Sequence, residues 1–140
     1  MLFPMATVLI ADDSPTIRRM VRFSLNTVPG LSFHEAATGL EAIETLVIRP
    51  ADLIVLDLNM PDMHGLDVLK FVRSQASLKN LPVVVLTTRG DEASREAALA
   101  AGATIFLAKP FSPTALARDV RTLLGVAGTV TAPVHREERS

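Results

Sequence analysis

Residues 53–65 read LIVLDLNMPDMHG. The opening run, Leu53 to Leu56, is short, continuous and branched, the pattern of a strand buried on both faces in a parallel sheet covered by helices. It ends on an acid, Asp57, and Gly65 reads as the glycine that permits a turn before the next helix. Four more runs of the same kind lie at Thr7 to Ala11, Leu31 to Ala36, Val83 to Leu86 and Thr104 to Ala108. About 20 to 30 residues separate successive strand ends, the length of a crossover helix with its loops. Five βα units in a row predict a doubly wound α/β fold, a parallel sheet between two helical layers.

Helix signals fit that spacing. Ser14-Pro15 and Ser112-Pro113 each set an N-cap hydroxyl before a proline suited to a first helical turn. Ile17, Met20, Val21, Ser24 and Leu25 then follow helical periodicity, with Arg18, Arg19 and Arg22 expected on the solvated face. Asp91 to Ala103 reads as a small-residue helix ended by Gly102, and Ala115 to Leu124 as a last helix with Leu116, Val120, Leu123 and Leu124 inward. One domain over residues 6–125 follows, with an N-terminal extension at 1–5 and a tail at 126–140 expected to be disordered.

The chain has 140 residues, 49% hydrophobic and 21% charged, which is a globular composition and affords one core. Fourteen basic and 15 acidic side chains give a net charge of −1, against a protein that coats nucleic acid. There is no cysteine, hence no disulfide, thiolate metal site or cysteine nucleophile. Met1 to Ala11 is apolar but lacks a basic n-region and a cleavage site, and falls short of a membrane span, so cytoplasmic residence without membrane attachment is expected. His34, His64 and His135 have no metal-ligand spacing and read as structural or surface residues.

In open α/β sheets, ligands bind beyond the carboxyl ends of the strands. Those ends are loaded here. Asp12 and Asp13 follow the first strand and Asp57 the third, while Thr87 and Thr88 end the fourth and Lys109 the fifth. If the first and third strands are neighbours, three carboxylates converge, and their repulsion raises a pKa or calls for a cation. Oxygen ligands without histidine or thiolate select a hard ion, and Mg²⁺ completed by substrate phosphate is the economical choice. Lys109 can pair with Asp57 and then with a phosphoryl oxygen, Thr87 offers a hydroxyl to the same group, and Asp57 is the candidate nucleophile for an acyl phosphate.

This ordered set, Asp12-Asp13, Asp57 in VLDLNMPDMHG, Thr87 in VVVLTT and Lys109-Pro110-Phe111, resembles the receiver (response-regulator) domain of two-component signalling, most of all its stand-alone, CheY-type chemotaxis regulators. The likeness covers about Ala6 to Gly125. It implies the flavodoxin-like strand order 2-1-3-4-5, of which CheY is itself a familiar example. It also implies that Asp57 accepts a phosphoryl group from a histidine kinase or a histidine phosphotransfer protein. Asp12, Asp13, Asp57 and the Asn59 backbone carbonyl would hold Mg²⁺, with Thr87 and Lys109 touching the phosphoryl oxygens. Thr87 would then move toward the phosphoryl group while Phe106, where many members carry tyrosine, turns inward. The family also implies a cis Lys109-Pro110 bond that aims Lys109 at Asp57, and tuning of phosphoryl lifetime by Asn59 and Arg89.

Such a domain is not an enzyme beyond self-phosphorylation and autodephosphorylation. Only about sixteen residues follow Leu124, too few for a DNA-binding output module, so output is expected through a partner protein on the fourth helix, fifth strand and fifth helix, Asp91 to Leu124. The pathway would be chemotaxis, motility or another phosphorelay. The alternative is an aspartyl phosphatase of the haloacid-dehalogenase type, which wants an acid two residues after its nucleophile, where this chain has Asn59. A flavin-binding carrier is disfavoured by Asp12 and Asp13 where a flavin phosphate would sit.

Overall fold

Along the run Val8-Leu9-Ile10-Ala11, successive side chains enter opposite cores. Val8 and Ile10 pack with Leu53, Val55, Val84 and Leu86 on one face of the sheet. Leu9 and Ala11 pack with Ile54, Leu56, Val83 and Val85 on the other. The computed structural model describes residues 6–88 and 90–125. Its strands are β1 (Ala6–Ala11), β2 (Leu31–Ala36), β3 (Leu53–Leu56), β4 (Val83–Thr87) and β5 (Ile105–Ala108). They alternate with the helices α1 (Pro15–Leu25), α2 (Gly39–Ile48), α3 (Gly65–Ser74), α4 (Glu92–Ala100) and α5 (Pro113–Leu124). All pairings are parallel, in the order β2-β1-β3-β4-β5.

Helices α1 and α5 cover the Val8 face through Val21, Leu25, Leu116 and Val120. Helices α2, α3 and α4 cover the Leu9 face through Ala42, Leu46, Val68, Leu69 and Ala98. The result is the expected three-layer (βα)5 sandwich. Because β3 is wholly buried, a slip of one residue would exchange every side chain between the two cores, so packing on both faces fixes the register. Each fully buried leucine, isoleucine or valine contributes about 1.5–3 kcal/mol to that choice.

The caps follow the sequence. Ser14 Oγ accepts from the Ile17 amide at 3.2 Å and Ser112 Oγ from the Ala115 amide at 3.1 Å. Gly125 ends α5 with φ +65°. Strand β4 runs one residue further than its apolar run, taking in Thr87, and β5 begins one residue later, at Ile105. Thr104 instead ties the strands together, its hydroxyl accepting from the Val83 amide at 2.9 Å. Helix α5 starts at Pro113, two positions before the predicted Ala115.

Three expectations are corrected. Met20 is 44% exposed, because the inward stripe of α1 narrows to Val21, Ser24 and Leu25. Arg18 does not point away into solvent; its guanidinium folds back over the edge of the sheet to Glu35 and to the Asp12 carbonyl. Gly65 has a negative φ, and what it permits is proximity: a Cβ there would lie 2.5 Å from the Asp57 carbonyl oxygen and 2.5 Å from Leu58 Cα. The first turn of α3 is thereby pressed onto the end of β3. The segments at 1–5 and 126–140, with His135, lie outside the described residues, as does Arg89.

Gly65→Ala forces backbone apart where nothing flexible can yield, so a loss of about 2–3 kcal/mol is expected. Urea unfolding followed by circular dichroism measures it, and an unchanged midpoint would refute the close-approach account.

Candidate functional site

Parallel register builds the site. Ala11 stands opposite Leu56, and the Asp57 amide donates to the Ala11 carbonyl at 2.9 Å, so Asp12 and Asp57 emerge side by side from β1 and β3. Both are 3% exposed, whereas Asp13 faces solvent. Carboxylate oxygens of Asp12, Asp13 and Asp57 all lie within 4.8 Å of one another. On the other flank Thr87 stands opposite Ala108, and the Lys109 amide donates to the Thr87 carbonyl at 2.8 Å. The Lys109-Pro110 peptide is cis.

The structure brings together Asp12, Asp13, Asp57, Asn59, Thr87 and Lys109. Lys109 makes the expected pair with Asp57, Nζ to Oδ1 at 3.5 Å, and a shorter one with Asp12, Nζ to Oδ2 at 2.9 Å. Local hydrogen bonds account for this. Asp12 spends Oδ1 on the Ser14 amide and leaves Oδ2 to the ammonium, while Asp57 Oδ1 is shared with the Asn59 amide at 3.2 Å. The Asn59 side chain donates from Nδ2 to Thr87 Oγ1 at 3.2 Å, which places it on the threonine. Phe106 is half-buried, its ring against the α2–α4 core and its edge on a groove of about 400 Å³ bounded by Arg95, Leu99, Arg118 and Asp119.

Burial, and then the charge of Asp12, push the Asp57 carboxyl above its ordinary value, opposed by Lys109 and the Asn59 amide. Two buried carboxylates sharing one ammonium ask for a proton or a further cation. The donors here are oxygens, with neither imidazole nor thiolate among the three acids, so they suit a hard divalent ion such as Mg²⁺.

Two supporting residues escaped the sequence reading. Arg18 Nη1 donates to the Asp12 carbonyl at 2.6 Å while its Nε holds Glu35 at 2.8 Å. Burial pushes the Glu35 carboxyl up, but the hydrogen bonds from Arg18 and Arg22 outweigh it and hold Glu35 below its usual range. Asp62, in the loop after β3, accepts from the Leu40 and Gly39 amides, and these bonds lower its pKa. Neither contact has a local signal, since helical periodicity gave Arg18 to solvent and the partners of Asp62 lie 22 and 23 positions back along the chain.

Residues 8–121 match the family model described as the response regulator receiver domain. Over 119 residues the chain is 37% identical to the chemotaxis protein CheY1 of Helicobacter pylori, spanning 84% of this chain and 96% of that one. It is 37% identical over 129 residues to the KDP operon transcriptional regulatory protein KdpE of Escherichia coli, spanning 92% of this chain and 56% of the longer relative. Among solved structures, the chemotaxis response regulator CheY4 of Vibrio cholerae superposes with a TM-score of 0.78 at 38% identity, over 85% of this chain and 98% of that one.

Asp57→Asn removes a charge that folding must bury beside Asp12, and is expected to raise the melting temperature of the metal-free protein at neutral pH by roughly 2–6 °C. A carboxyl whose folded-state pKa is raised binds its proton more tightly folded than unfolded, so its penalty is full above the folded-state pKa and fades as pH falls toward the unfolded value. The advantage of the variant should therefore shrink on acidification. Thermal melts at neutral and mildly acidic pH check this, and a variant no more stable than wild type at neutral pH would contradict it.

Proposed function

The chain belongs to the response regulator receiver domain family, and on that premise we propose that it is a phosphorylation-operated switch whose phosphoacceptor is Asp57. The observation that carries this reading is one buried carboxylate set between a second buried acid, Asp12, and the ammonium of Lys109 at the carboxyl edge of the sheet. A carboxylate oxygen of Asp57 attacks the phosphorus of a phosphohistidine on a histidine kinase or a histidine phosphotransfer protein. The new O–P bond forms as the P–N bond breaks, and the imidazole leaves with the bonding pair and takes up a proton. Such transfer asks for positioning and charge neutralisation more than for covalent chemistry.

Asp12, Asp13, Asp57 and the Asn59 backbone carbonyl are the residues that would hold Mg²⁺. Bound there, the ion supplies charge neutralisation for the acids and the incoming phosphoryl oxygens. Lys109 and Thr87 take the remaining oxygens, Lys109 by shifting from Asp12 and Thr87 by exchanging its bond from Asn59 for one to the phosphoryl group. The phosphoryl group carries about −1.5 to −2 charge in place of the single charge of the carboxylate, together with three strong acceptors, which is the force available to move these two side chains.

Thr87 and Phe106 would carry the change to the surface formed by α4, β5 and α5, where a downstream protein binds. The likeness to chemotaxis proteins supports a motility pathway, with a phosphorelay as the other setting. Residues 6–125 form the acting unit. No helix among the described residues is long and apolar enough to cross a membrane, and we place the protein in the cytoplasm, acting without direct contact to nucleic acid or membrane.

Incubation with acetyl phosphate and Mg²⁺, followed by intact-protein mass spectrometry, is expected to add one phosphoryl group to the wild type and none to Asp57→Asn. Equal labelling of the two proteins would remove Asp57 from the role. Labelling of the wild type that persists undiminished in a chelator would remove the metal from it.

A further inference from the structure

We propose that Asp62 is a positioning residue for the metal-binding loop, tying that loop to the start of α2 so that the Asn59 carbonyl is held where a cation meets it. The assignment rests on the reading of that carbonyl as a magnesium ligand. The loop between β3 and α3 carries Asn59 through His64. Its base is closed by the Gly65 amide, which donates to the Leu58 carbonyl at 2.9 Å, and by an antiparallel bridge between Asn59 and His64. Its far side is fastened by hydrogen bonds to Asp62 from 22 and 23 positions back along the chain, beside the packing of Met60 and Met63 on the core.

Helix α2 needs this partner. Its cap, Thr38, serves the Glu41 amide at 3.0 Å, and the Ala42 amide is the first to reach a helical carbonyl, that of Thr38 at 3.0 Å. The Gly39 and Leu40 amides are left over, and the two oxygens of Asp62 take one each, at 2.8 and 2.9 Å. A carboxylate at that place also meets the positive end of the helix dipole. A second observation is independent of charge: a Cβ at Gly39 would lie 2.8 Å from Met63 Cβ, so the loop rests against α2 as closely as a glycine allows. Between Asp62 and Asn59 stand only Met60, which is 7% exposed, and the stiff Pro61. A fixed Asp62 therefore leaves Asn59 little freedom. Partners of this kind, which orient a ligand without touching the ion, commonly change metal affinity by about 10- to 100-fold.

The test is calorimetric titration with Mg²⁺ of the wild type, Asp62→Ala, Asp62→Asn and Gly39→Ala, together with the ¹³C resonance of the Asn59 carbonyl during the same titration. Asp62→Ala and Gly39→Ala should each weaken binding by about tenfold, the low end for such residues because Asp62 is exposed. Asp62→Asn, which keeps an acceptor without the charge, should fall between them and the wild type. The Asn59 carbonyl should shift on saturation in the wild type and less in Asp62→Ala. Wild-type affinity in both Asp62→Ala and Gly39→Ala would overturn the assignment while leaving the site intact. Equal weakening by Asp62→Asn and Asp62→Ala with Gly39→Ala unaffected would overturn it in favour of charge alone. A wild type that binds no Mg²⁺ would overturn the magnesium site and the assignment together.

Discussion

The arrangement turns on a repulsion. Asp12 and Asp57 are buried side by side at the ends of adjacent strands, their oxygens within 4.8 Å, with one ammonium between them. At an effective dielectric constant of about 20, two such charges oppose each other by roughly 3 kcal/mol, a large fraction of the stability of an ordinary domain. A sheet that could slip would relieve the strain by parting them. A slip of one residue is barred, because β1 and β3 send alternate side chains into two separate cores and would have to exchange them all.

Rigidity and reactivity are thus supplied by different parts of one register. The apolar run Leu53-Ile54-Val55-Leu56 holds the strand, and the position immediately after it receives the carboxylate that the packing holds in place. Gly65 extends the same logic to the loop, because its missing side chain lets the α3 start lie against the Asp57 carbonyl. Arg18 does so from the opposite edge, donating to the Asp12 carbonyl while Glu35 on β2 anchors its guanidinium. Helix, loop and edge strand all end on backbone atoms of the two acids. Movement of either acid therefore requires movement of a whole element.

The fold and most of the site were legible because strand ends are local features. A branched run followed by an acid, a threonine or a lysine names both the strand and the residue it delivers, and parallel pairing does the rest. Contacts made across elements were not legible. Periodicity gives the angle of Arg18 around α1 but not the reach of a side chain long enough to bend back over the sheet edge. Asp62 looks like any loop acid until Gly39 and Leu40 are brought beside it by the packing of α2 on α3. The preference of Lys109 for Asp12 depends on which oxygens the Ser14 and Asn59 amides had already taken, and spacing in the sequence says nothing of that.

The charge balance gives the site its direction. Three carboxylates and one ammonium leave two negative charges, and Asp57 holds its proton above the ordinary range through its burial and then the charge of Asp12. A divalent cation cancels that surplus. On the proposed reading, a phosphoryl group of about −1.5 to −2 charge then replaces the single charge of the Asp57 carboxylate, a net gain of about one negative charge at the same spot. The surplus cannot be relieved by moving the acids, which the two cores hold. On that reading it falls on side chains: Lys109, which pairs with Asp12 at 2.9 Å and with Asp57 at 3.5 Å, and Thr87, whose hydroxyl receives the Asn59 amide at 3.2 Å. Thr87 ends β4 directly opposite Ala108, two residues beyond Phe106, so on the proposed reading its displacement would pass first to β5. On the proposed reading, a rigid frame around a site that gains negative charge leaves β5 as the place where the difference appears.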